Sequence, residues 1–138
     1  MSERALRKLF LNLPVRDLVA SKRFFTRLGF EFDGRFTDEL AACMVVSDAA
    51  RVMLLTEPFF STFATKPRCD TRAQTEAWFV LSCRSRAEVA ALFCEAIAAG
   101  GTPAGMALDH GFMCASGFHD LDGHHWQLHW TDPHPVLA

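Results

Sequence analysis

No stretch of the chain approaches the roughly 20 consecutive apolar residues that a membrane-spanning helix needs, and the opening MSERALRK lacks the apolar segment of a secretion signal. The expected location is therefore the cytoplasm. Charge of one sign is also scarce. Fourteen Lys and Arg stand against sixteen Asp and Glu, for a formal net charge of −2, so neither nucleic acid nor an anionic membrane has an electrostatic claim on the surface. Five cysteines, an odd number with wide spacing and no C-x-x-C pair, do not form a disulfide framework. Cys43, Cys83, Cys94 and Cys114 read as small buried residues in strands or a helix, and Cys69 as an exposed loop residue without a paired histidine. A glycine-rich phosphate loop, a G-x-S-x-G nucleophile elbow and an H-E-x-x-H helix are all missing. Asp38-Glu39 and Asp120 with Asp122 read as turns and surface.

What is present is a globular composition, half hydrophobic, in 138 residues. That is one domain, or two small halves sharing a core. KLFLNLPV reads as a strand and DLVASKRFFTRLGF as a helix, with Asp17 at its N-cap, Leu18, Phe24, Phe25 and Leu28 as an apolar stripe and Gly29 as the stop. FEFDGRF, ACMVVSD and RVMLLTE follow as three short strands. After an irregular stretch from Pro58 to Thr75, EAWFVLSC is again a strand. SRAEVAALFCEAIAAGG is again a helix, with Ser85 and Glu88 as a capping box. Strands are expected around Thr102 to Ala107, from Phe112 to Phe118 and from His124 to Trp130. The order βαβββ occurs twice, over residues 8–57 and 76–130, which implies that the two copies pack together. Phe59, Phe60 and Phe63, between the copies, either close over a concavity, fill a subunit contact or pack at an edge.

The segment DLDGHHWQLHW holds three of the six histidines. Alternation along a strand places His125, Gln127 and His129 on one face and His124, Trp126, Leu128 and Trp130 on the other. Residues four apart on a strand are separated by roughly 13 Å, too far for His125 and His129 to share an ion through bonds of about 2.0–2.1 Å. His124 is expected to be solvated at the turn and His119 to cap it, while His134 lies in a proline-flanked tail. Asp109 and His110 are either a carboxylate-oriented histidine serving as a proton shuttle or surface polarity, the latter being preferred.

NLPVRDLVASKRFFTRLGFEF near the start and FHDLDGHHWQLHW near the end together resemble the glyoxalase/bleomycin-resistance/extradiol-dioxygenase family, the vicinal oxygen chelate superfamily, over about Leu9 to Trp130. The resemblance implies an α+β fold of two βαβββ modules forming a curved mixed sheet around a cleft, commonly in homodimers. It also implies four inward side chains that hold a divalent metal acting as a Lewis acid. Carried over by local motif, those positions are Phe10, Leu54, Trp78 and Gln127, of which only Gln127 can coordinate. Neighbours one residue away, Met53 and Leu55 among them, do no better as ligands of a hard metal ion. No cofactor and no metal at the usual site are therefore expected.

Alternation suggests a cleft face of Phe10, Asn12 and Pro14; Leu54 and Thr56; Trp78, Val80 and Ser82; and His125, Gln127 and His129. The core-facing set is Leu9, Leu11, Leu13, Val15, Phe79, Leu81 and Cys83. Phe10, Leu54 and Trp78 would give apolar or stacking surface, and Asn12, His125 and Gln127 orientation, to a small aromatic or planar molecule. One alternative is a lyase, isomerase or dioxygenase with a relocated metal or metal-free acid/base catalysis, using Gln127, His125, His110 and Asn12 or Glu57. Another is an assembly protein whose cleft is filled.

Overall fold

The computed structural model describes residues 7–134. Two compact units divide the chain, the first ending at Arg68 and the second starting at Cys69. The first contains β1 (Leu9–Val15), α1 (Leu18–Arg27), β2 (Glu31–Phe32), a 3₁₀ turn (Gly34–Phe36), β3 (Ala41–Val45), β4 (Ala50–Thr56) and α2 (Glu57–Phe63). The second contains β5 (Trp78–Ser82), α3 (Arg86–Ala98), β6 (Thr102–Pro103), β7 (Leu108–Asp109), β8 (Met113–His119) and β9 (His125–Thr131). The first sheet runs β1-β4-β3-β2 and the second β5-β9-β8-β6, with β7 added against β8. In each, the first strand lies parallel to the last and the remaining pairs are antiparallel. The duplication read from the sequence is thus a duplication of topology, in an α+β fold of two mixed sheets.

Local chemistry sets the helix starts. The Asp17 side chain accepts from Ala20 N at 3.0 Å, and Ser85 Oγ accepts from Glu88 N at 3.1 Å while Glu88 Oε1 accepts from Arg84 N at 3.0 Å. Each cap satisfies amides that the first helical turn leaves without partners. Along α1, Leu18, Ser21, Phe24 and Phe25 are buried, a spacing that puts them on one stripe. The Phe24 and Phe25 rings meet edge to face at 5.0 Å.

Strand register decides which side chains α1 covers. Leu13 pairs with Leu54, and Leu54 with Ala42, so these three share one sheet face, and all are buried. Helix α1 packs on β3 and β4 over this face. Leu54 is 0% exposed and does not stand with Phe10 and Asn12, as alternation alone suggested. The run Met53-Leu54-Leu55 is apolar throughout, so its phase is set by pairing with β1; Asn12 pairs with Met53, which is the open-face residue. Thr56 likewise shares the face of Val15 and not that of Pro14.

Other expectations are corrected too. Leu9 sits on the core-facing phase but is exposed, because it begins the edge strand β1. The stretch after Thr56 is not irregular at its start: α2 forms there, with Pro at an early helical position and Phe59 and Phe63 stacked edge-on one turn apart at 5.0 Å. Cys94 is exposed and Cys83 half-buried, leaving Cys43 and Cys114 as the buried thiols. Helix α3 is apolar nearly all round, so its sequence does not reveal which side meets the sheet. Only a two-residue strand, Thr102–Pro103, forms where a longer one was expected.

Candidate functional site

In the second unit, α3 lies against β8 and β9, and Phe118, Trp126 and Leu128 are fully buried. Because residues in register point the same way, the ladder also fixes the other face. Trp78 pairs with His125, Val80 with Gln127 and Ser82 with His129, while β8 brings Ala115, Gly117 and His119 to the same side. Trp78 is 58% exposed on the edge strand β5, and its ring lies 6.1 Å from that of His125 at a tilt of 34°. The sequence-expected residues Trp78, His125 and Gln127 therefore share one open sheet face. Phe10 and Asn12 belong to the first unit, where both are exposed on the open face of β1.

A hollow of about 240 Å³ sits on this face of the second unit. Trp78, His125 and Gln127 line it from the strands expected to do so, and Ala115 and Gly117 from β8. Ala104 and Met106, from the segment between β6 and β7, and Leu108, the first residue of β7, complete the lining. No side chain in this lining carries a fixed charge. Burial pushes the His125 imidazole pKa down, and the neighbouring His119 acts in the same direction, which favours a neutral ring.

Gly117 makes the floor possible. A Cβ there would stand 2.7 Å from the Ala104 carbonyl oxygen, closer than side-chain carbons approach, and 3.2 Å from His125 Nε2, a tight contact. Ala104 N in turn donates to Gly117 O at 2.9 Å, holding the segment against β8. Sequence reasoning missed Gly117, Ala115, Met106 and Leu108. A visible signal existed for the first two: in MCASGFH the small residues alternate with the larger Cys114 and Phe118, marking a face with room above it.

The segment bearing Leu108 is anchored by an ion pair. Arg86 Nη1 and Nη2 donate to the two carboxylate oxygens of Asp109 at 2.8 and 2.7 Å, and Nη2 also donates to Gly111 O at 2.6 Å. The guanidinium lies 5.3 Å from the Trp130 ring centre. Arg86 holds the Asp109 carboxyl well below the usual carboxylate range, with help from the Gly111 amide. Asp109 is thus engaged by Arg86 and does not orient His110, which stacks on Phe112 with ring centres 6.4 Å apart. This favours the surface reading of His110 over the proton shuttle.

The DLDG turn is built into the interior, not laid on the surface. Asp120, Asp122 and His124 are all buried. Asp120 Oδ1 accepts from Asp122 N at 2.9 Å and His124 N at 3.0 Å, and Oδ2 accepts from Trp126 Nε1 at 2.9 Å. Burial pushes the Asp120 carboxyl upward, against the opposing pull of the His124 ring, the Trp126 indole and the Asp122 amide. Gly123 takes a φ of 85°, and a Cβ there would run into the Thr71 carbonyl. Thr71 Oγ1 donates to Asp122 O at 2.7 Å. His124 faces the covered side with Trp126, so it is not a solvated turn residue. His119 lies on the open face with its ring centre 5.4 Å from that of His125, and the turn is capped by Asp120 instead.

Taken with its topology, this arrangement defines an α+β protein of the glyoxalase/bleomycin resistance/dioxygenase fold. A hypothetical protein from S. aureus is 23% identical and aligns over 94% of this chain and 95% of its own, with a TM-score of 0.77. A glyoxalase-related enzyme from Fulvimarina pelagi is 19% identical over 96% and 93%, with a TM-score of 0.78. A glyoxalase/bleomycin resistance protein/dioxygenase family enzyme from Burkholderia phytofirmans PsJN is 14% identical over 88% and 96%, with a TM-score of 0.72. Residues 7–47 match the family model described as bleomycin resistance protein-like N-terminal. No curated protein matches the sequence. These likenesses show the fold, and the N-terminal match covers residues 7–47 of the 138.

The residues present do not fit the metal that the superfamily implies. Phe10 and Trp78 offer no lone pair to a cation, and Leu54 is turned to the covered face. Its open-face neighbour Met53 carries only a soft thioether. Gln127 is the sole oxygen donor among the four positions. Among the described residues, no group of three His, Cys, Asp or Glu side chains is placed to hold a metal ion.

Proposed function

We propose that the protein binds a small, flat, largely uncharged molecule on the open sheet face of its second unit. The observation that carries this reading is the hollow itself: an exposed indole at Trp78 stands beside His125 and Gln127 over a floor kept clear by Gly117. An apolar lining with few polar groups suits orientation of a planar ligand through stacking and one or two hydrogen bonds. A lining without formal charge disfavours carboxylates and phosphates, which would lose hydration without a cation to replace it. Binding without the superfamily's usual metal is part of the reading.

A panel of small aromatic compounds, titrated against tryptophan fluorescence, tests it. Saturable quenching by uncharged planar compounds, and none by their carboxylated counterparts, is the expected pattern. No saturable quenching across the panel would remove the proposal. A homodimer, in the cytoplasm, belongs to the same reading; the dimer is supported by β1 and β5 being edge strands that leave backbone groups to be covered. Light scattering at micromolar concentration checks the dimer, and a monomer would remove that part.

A further inference from the structure

His119 closes β8 and His125 opens β9, and the intervening turn places them directly opposite one another in the antiparallel ladder. Opposed residues on one face of such a ladder have their Cβ atoms about 4.5–5.5 Å apart. Here the two ring centres are 5.4 Å apart, with planes at 57°. His125 Nε2 lies 3.2 Å from the position of a Cβ at Gly117, which is two residues before His119 on the same face of β8. That nitrogen therefore reaches across the ladder toward the strand that carries His119.

The spacing matches a chelate. Two imidazoles bound to one ion through nitrogens about 2.0–2.1 Å away have ring centres about 4.5 Å apart at a square-planar angle and about 5 Å apart at a tetrahedral one. The geometry points to a two-histidine site, His119 with His125, for a borderline divalent transition ion, with its remaining positions open to water or to a ligand in the adjoining hollow. Imidazole pairs favour Cu²⁺, Ni²⁺ and Zn²⁺ over the hard cations Mg²⁺ and Ca²⁺.

Neither histidine stands at a position where the superfamily's metal ligands fall, so this site is separate from the one that Phe10 and Trp78 no longer supply. The other histidines are placed elsewhere. His124 is buried on the opposite face, His129 lies roughly 13 Å along the strand from His125 and contacts Thr131 Oγ1 at 3.1 Å, and His110 stacks on Phe112.

The test uses the full chain without a histidine tag, stripped of metal and titrated calorimetrically with Cu²⁺ and separately with Ni²⁺. One saturable site per chain is expected, with Cu²⁺ the tighter ion. His119→Ala and His125→Ala should each weaken it by about tenfold or more, since even an outer-sphere loss costs that much. His110→Ala and Gln127→Ala should leave it unchanged. Electron paramagnetic resonance of the Cu²⁺-loaded wild type should report two histidine nitrogens, a measurement that stands even if a histidine variant fails to fold. Absence of a saturable site, a site that survives both substitutions, a site lost with Gln127→Ala, or fewer than two histidine nitrogens would overturn the assignment.

Discussion

In the first unit, β3 is buried on both faces from Ala41 through Met44; in the second, its counterpart β8 buries Cys114, Ala115 and Phe118 but leaves Ser116, Gly117 and His119 half-open. The last strands differ in the same sense. Asn12 pairs with Met53 in one ladder and Val80 with Gln127 in the other, so Met53 and Gln127 occupy matching places. Likewise Arg51, opposite Phe10, matches His125, opposite Trp78. One strand order thus carries two kinds of open face. The first is mostly apolar, with Arg51 close to Asp33 at 3.7 Å, and the second is a neutral, partly polar hollow. Duplication supplies the scaffold twice, and the residues at equivalent places decide what each open face offers.

The sharpest way to break the register behind this comparison is at β4. Leu54→Ala should cost about 2–5 kcal/mol, the range for a leucine deleted from a packed interior, whereas Met53→Ala on the half-open face should cost clearly less. Denaturant midpoints read the difference, and equal losses would mean that the face assignment is wrong. Next in size is Gly117→Ala, which must displace the Ala104 backbone and crowds the His125 ring. A loss of about 1–3 kcal/mol is expected from this overpacking, together with weaker ligand binding by the folded fraction. A variant of unchanged stability and affinity would show that the hollow's floor is not set there.

Arg86→Ala should have a smaller effect, about 1 kcal/mol or less, because the ion pair with Asp109 is largely exposed. Its signature would be local: faster hydrogen exchange at the Gly111 amide, which donates to Asp109, with β8 and β9 unaffected. The smallest effect belongs to the first unit. Arg35 hydrogen bonds hold the Asp33 carboxyl at about 2, below its unfolded value. The associated stabilisation is complete above the ordinary carboxylate range and is lost as pH falls toward 2. Arg35→Ala should raise the Asp33 pKa measured by carboxyl NMR; an unchanged value would remove the pair from the account.

Much of this architecture was legible in the residues. The repeated βαβββ order, the Asp17 and Ser85 caps and the shared face of Trp78, His125 and Gln127 all follow from local patterns of period two or of capping. The features that escaped depend on pairing or on burial. Met53-Leu54-Leu55 has no internal phase, so only the partner strand β1 tells which residue faces the helix. DLDG has the composition of a solvated turn, yet Asp120 is buried because it serves two backbone amides and the Trp126 indole at once. The wall formed by Met106 and Leu108 comes from a segment with little regular structure, and its position depends on Arg86, more than twenty residues earlier in the chain.

The most direct measurement of the central claim compares Trp78→Ala with Trp126→Phe for the best ligand that quenches the wild type. Trp78 is an exposed member of the hollow, and Trp126 is buried on the opposite face with its indole held by Asp120. Binding should be followed calorimetrically, so that loss of a fluorophore is not mistaken for loss of affinity. The account predicts that Trp78→Ala weakens binding by on the order of 1–3 kcal/mol while the protein stays folded. Trp126→Phe should lower the melting temperature and leave the affinity of the folded fraction unchanged. Equal affinity in wild type and a folded Trp78→Ala variant would contradict the placement of the ligand on this face.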